Sequence, residues 1–80
     1  MNIVFAEPIG LTPFQKENFI HEMNGLGHTT HFYDSQPTDQ VDLLSRTIKA
    51  DILVISNYKV SAEVVTESKN LKLIVTDRED

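Results

Sequence analysis

The sequence predicts an α/β domain: a four-stranded parallel sheet in order 2-1-3-4, with three helices in layers on its two faces. Three observations carry this. Short apolar runs alternate with helix-like stretches in the order βαβαβαβ. Two of those runs, Ile3-Val4-Phe5 and Ile52-Leu53-Val54-Ile55, are continuously apolar, as central parallel strands are. The stretch holding Thr30, His31 and Tyr33 is more polar and belongs at an edge.

The first strand, residues 3–6, ends at Glu7-Pro8-Ile9-Gly10, a loop signal. Thr12-Pro13 opens the first helix, with Thr12 as N-cap, Pro13 at the first position and Gln15 completing a capping box. Phe19, Ile20, Met23 and Leu26 form its apolar face, and Gly25 and Gly27 offer left-handed stop positions. Residues 29–33 are β-branched and aromatic, a second strand. Pro37-Thr38-Asp39 opens the second helix, with Val41, Leu44 and Ile48 on one face and Asp39, Asp42 and Lys49 suiting its dipole. The third strand lies in 51–56. Ser61 caps a short third helix to about residue 68, with Val64 and Val65 inward. A fourth strand at 71–75 precedes a polar tail. The expected core is Ile3, Phe5, Phe19, Met23, Val41, Leu44, Ile52, Val54, Val64, Leu73 and Val75, with Phe5, Phe19 and Phe32 as packing aromatics.

Eighty residues, 40% apolar and 24% charged, suit one small domain spanning 1–80. There is no repeat or linker. The absence of cysteine excludes disulfides and thiolate chemistry. Seven basic against twelve acidic residues give −5, which disfavours nucleic acid and anionic membranes as partners. No apolar run approaches a transmembrane length, and Met1 is followed by no signal-peptide pattern. A soluble cytoplasmic domain is expected.

Ligands of a doubly wound sheet bind outside the carboxyl ends of its strands, at the switch point between strands 1 and 3. Glu7, Pro8, Ile9 and Gly10 are expected on one side of that crevice, and Ser56, Asn57, Tyr58 and Lys59 on the other. A dinucleotide site needs a glycine-rich turn after strand 1. This turn has one glycine and a carboxylate, so no NAD is expected on this chain, and Asp34 reads as a turn residue. His21, His28 and His31 share no metal-ligand spacing and read as surface residues. Ser56, Ser61 and Thr76 sit in no motif that would activate a hydroxyl. A phospho-receiver would need an Asp ending strand 3, where this chain has Ser56-Asn57.

Taken in order, several segments resemble an NAD-dependent D-isomer-specific 2-hydroxyacid dehydrogenase. They are Met1-Asn2-Ile3-Val4-Phe5 with Glu7-Pro8 and Gly10, Gly27-His28, Tyr33-Asp34, Ala50-Asp51-Ile52-Leu53-Val54-Ile55-Ser56-Asn57, Val60-Ser61-Ala62-Glu63-Val64 and Asn70-Leu71-Lys72-Leu73-Ile74. They match the start of that family's catalytic, substrate-binding domain over about residues 1–75. The resemblance implies a flavodoxin-like (Rossmann-like) fold and a domain that closes on a 2-hydroxy or 2-keto acid. A separate NAD domain supplies the cofactor and the catalytic Arg, Glu and His, which lie beyond residue 80. It implies that Ser56, Asn57, Tyr58 and Lys59 face substrate, with Tyr58 stacking or hydrogen-bonding and Asn57 orienting. The family's glycine-rich turn after strand 4 is replaced here by Thr76-Asp77-Arg78-Glu79-Asp80. The chain is therefore either a fragment, inactive alone and without its own cofactor, or a stand-alone interaction or regulatory module on the same scaffold. In the family more chain covers the fourth strand, so these eighty residues are expected to form a homodimer through that edge.

Overall fold

The computed structural model describes residues 1–76. Its elements are β1 (Asn2–Phe5), α1 (Pro13–Gly25), β2 (Thr29–Phe32), α2 (Gln40–Thr47), β3 (Ile52–Ile55), α3 (Ala62–Glu67) and β4 (Leu73–Thr76). All strand pairs are parallel and the sheet order is β2-β1-β3-β4, as expected. β2 is an edge strand.

Alternation along β1 divides the core into two layers. Val4 and Ala6 face α2 and α3 and cluster with Leu43, Leu53, Ile55 and Val64. Ile3 and Phe5 face the other way with Val54, against Phe19 and Met23 of α1 and Phe32 of β2. The Phe5 and Phe32 rings stack at 4.3 Å, and Phe19 meets Phe5 edge-on at 5.3 Å. These three rings are packing aromatics, as read from the sequence.

Each helix starts where its cap places it. The Gln15 amide donates to Thr12 Oγ1 at 3.1 Å while Gln15 Oε1 accepts from the Thr12 N–H at 2.9 Å, a complete capping box. Asp39 and Ser61 accept from the amides of Asp42 and Val64. The α1 stop is narrower than expected. Gly25 stays helical and Gly27 alone turns left-handed, φ 86°. His28 N–H then reaches Met23 O and Gly27 N–H reaches Asn24 O, the Schellman pattern that satisfies the last carbonyls.

The inward faces depart from expectation in specific places. Leu26 lies at the α1 C-cap, past the last helical turn, and is exposed. On α2, Val41 is 77% exposed and Ile48 also faces solvent, while Leu43 and Thr47 are fully buried. The helix is rotated because polar members of its inward face are satisfied: Thr47 Oγ1 and Ser68 Oγ share a buried hydrogen bond of 2.8 Å. Gln40, on the same face, holds Lys59 O and the Ser61 N–H. Val65 points outward while Val64 is buried. Leu73 and Val75, expected in the core, are exposed because β4 is an edge strand.

Candidate functional site

Glu7 follows β1 directly and is 1% exposed. Its burial is made tolerable by the loop after β3, whose Ser56 and Tyr58 N–H groups each donate to Glu7 Oε2 at 2.8 Å. Burial pushes the Glu7 carboxyl up. The Ser56 and Tyr58 amides, with weaker help from the Gln36 side chain and the Asn57 N–H, outweigh it and hold the group below its ordinary value. The charged carboxylate is thus an internal staple between the loops that end β1 and β3.

That staple shapes the cleft next to it. Residues 55–60 and Thr76 line a cavity of about 380 Å³ at the carboxyl ends of β3 and β4. Ser56, Asn57, Tyr58 and Lys59 all line it. Glu7 and Gly10 are not among the lining residues. Glu7 stays behind the loop and spends its charge on two amides. Gly10 takes a left-handed φ of 79° in the loop after β1. The cleft also lies on the β3–β4 side of the sheet, displaced from the β1–β3 switch point. Of the polar tail expected at 76–80, residues 77–80 lie outside the described residues.

Chemically, the cleft offers an amide at Asn57, a phenol at Tyr58 and an ammonium at Lys59. Among the described residues Lys59 makes no ion pair. This set can orient a small carboxylate through charge and hydrogen bonds. Among the described residues its lining holds no carboxylate, and no group of three or more His, Asp or Glu is placed to hold a metal.

Two positioning residues escape a sequence reading. Gln40 bridges the far side of the same loop, with Nε2 donating to Lys59 O at 2.7 Å and Oε1 accepting from the Ser61 N–H at 3.0 Å. Arg46 donates to Ala6 O, Ser35 O, Ser35 Oγ and Gln36 O, and pairs with Asp42 at 3.1 Å. It thereby locks the turn after β2 beside Glu7. The Asp42/Arg46 i,i+4 spacing is the only trace of this in the sequence. The histidines stay apart in role: His28 Nδ1 meets the N-terminal amine at 3.1 Å, the His31 ring lies tilted beside Tyr33, and His21 is exposed. Asp34 sits in the turn after β2 and pairs with Lys16.

No family model, curated protein or solved structure matches the chain. Among the described residues no helix is long and apolar enough to cross a membrane.

Proposed function

We propose that this chain is the N-terminal, substrate-side portion of a D-2-hydroxyacid dehydrogenase-like oxidoreductase, contributing residues 56–59 to a cleft for a 2-keto or 2-hydroxy acid. One observation carries the reading: four contiguous residues with carboxylate-orienting chemistry line one cavity at the carboxyl ends of parallel strands. The pinned loop supports it, since a substrate-orienting loop must be held in place before substrate arrives. In this reading hydride transfer belongs to the assembled enzyme with NAD(H), and the eighty residues alone bind acid weakly and do not turn it over.

Titration of the ¹⁵N-labelled chain with pyruvate and 2-oxoglutarate tests this. Saturable shifts confined to residues 55–60 and Thr76 are expected, with Lys59→Gln weakening them. Calorimetry with NADH should show no binding, and micromolar NADH affinity would sink the proposal. A second reading, a non-catalytic interaction module, rests on β4, whose Leu73, Ile74 and Val75 are all exposed. Keto acids that leave 55–60 unmoved, with concentration-dependent shifts along β4, would favour it.

A further inference from the structure

We propose that a second groove, between α2 and the β1–β2 side of the sheet, binds a small organic anion carried on a planar ring. The groove encloses about 380 Å³ and shares no lining residue with the cleft at residues 55–60. That volume lies within the range of small-molecule pockets. Its floor is β1, and its walls include Thr29, His31 and Tyr33 from β2 and its end, and Ser45, Arg46 and Lys49 from α2 and the turn after it.

The charge of this groove runs against that of the molecule. The chain carries −5, yet among the described residues the groove is lined by Arg46 and Lys49, with His31 beside them, and by no Asp or Glu. With Arg46 balanced by Asp42, Lys49 is the cation that draws an anion into the groove. The three bases do different work. Arg46 is committed: its donors are taken by Ala6, Ser35 and Gln36, and Asp42 balances its charge. Its guanidinium stacks over Tyr33, 4.5 Å from the ring centroid, and so fixes that ring in position. Lys49 is uncommitted. Its backbone carbonyl accepts from Asn2, while among the described residues its ammonium has no hydrogen bond or ion pair. His31 is likewise without a hydrogen-bond partner among the described residues, and its ring stands 4.5 Å from Tyr33, tilted 41°.

The groove therefore combines an aromatic pair, one face of it already fixed by Arg46, with unspent donors at Lys49 and His31. A planar ring would pack on the His31–Tyr33 pair while its anionic substituent reaches the Lys49 ammonium. The ordinary account of Lys49, a cation placed at the end of α2 to suit its dipole, needs no ligand. Experiment separates the two.

The ¹⁵N-labelled chain is titrated with adenosine monophosphate and indole-3-carboxylate, and with their neutral parents adenosine and indole. Each anion that binds is expected to shift Thr29, His31, Tyr33 and Ser45 saturably, about tenfold more tightly than its parent. The two anions distinguish a phosphate from a carboxylate. Lys49→Gln, at an exposed position, should erase the preference for the anion and leave the circular dichroism spectrum unchanged. Equal binding of anion and parent, an unchanged preference in Lys49→Gln, shifts at residues 55–60 instead, or no shift at this groove with either anion overturns the proposal.

Discussion

β3 and β4 are neighbouring strands of nearly the same composition, Ile-Leu-Val-Ile and Leu-Ile-Val-Thr, and their fates are opposite. They pair in parallel, Leu53 beside Ile74 and Val54 beside Val75. Leu53 is fully buried and Val54 and Ile55 nearly so, whereas every residue of β4 is exposed. The difference lies in neighbours. β3 has a strand on each side, α2 and α3 over the Leu53 face and the Phe5 cluster over the Val54 face. Among the described residues β4 has one strand beside it, and α1 packs over β2, β1 and the Val54 face of β3, so Leu73 and Val75 have no layer above them. Apolar composition makes a strand; its place in the sheet decides whether that strand is core.

The largest expected effect tests this directly. Leu53→Ala should cost about 2–5 kcal/mol, because a fully packed side chain leaves a cavity. Leu73→Ala, at 53% exposure, should cost about 0.5 kcal/mol. Urea unfolding of both variants at low protein concentration measures the gap. Equal losses would mean that β4 is covered in solution.

A smaller effect is expected at Glu7, which ties the β3 loop to β1. Glu7→Gln replaces a charged acceptor of two amides by a neutral one and should cost about 1–3 kcal/mol at neutral pH. The fold holds the Glu7 carboxyl below its ordinary 4.5. Its contribution is therefore complete above that value and is lost as pH falls below it toward the folded-state value. Asp42 and Asp51 are also held low, chiefly by the N–H groups of Thr38 and Asn2. Glu7→Gln should thus flatten the acid side of the stability profile in part, leaving the share of those two groups. An unchanged acid profile would show that the staple carries no linkage.

What was legible in the sequence was local. Thr12 with Gln15, and Ser61, mark helix starts because each cap needs only residues three positions apart. Strand order followed from two apolar runs and one polar one. The α2 face was not legible, since its inward positions include Gln40 and Thr47, polar residues whose partners lie 19 to 21 positions away. A pattern that counts polar residues as outward turns such a helix the wrong way. Glu7 hid for the same reason. Its partners are 49 and 51 positions away, so a buried staple looked like a cleft residue. Thr47→Val tests the first case: it leaves Ser68 Oγ buried without its partner and should cost about 1 kcal/mol despite the added apolar surface.

The smallest effect on stability, and the sharpest probe of the comparison, lies on β4. An apolar parallel strand with both faces exposed and one edge free is a template for pairing with another chain. It consists of Leu73, Ile74, Val75 and Thr76, and Lys72, the charge that precedes it, is committed to Asp51 at 3.2 Å. A second copy meeting this edge would cover the surface that α1 leaves bare. The net charge of −5 opposes it, because two such chains repel. Added salt screens that repulsion, so self-association should tighten as ionic strength rises, opposite in sign to pairing driven by ion pairs. Val75→Lys places a charge on the bare face and should abolish association while moving monomer stability by no more than about 0.5 kcal/mol. Sedimentation of both chains at several concentrations and two salt levels reads the result. A monomeric parent chain at high concentration and moderate salt would show that exposure of β4 does not translate into pairing.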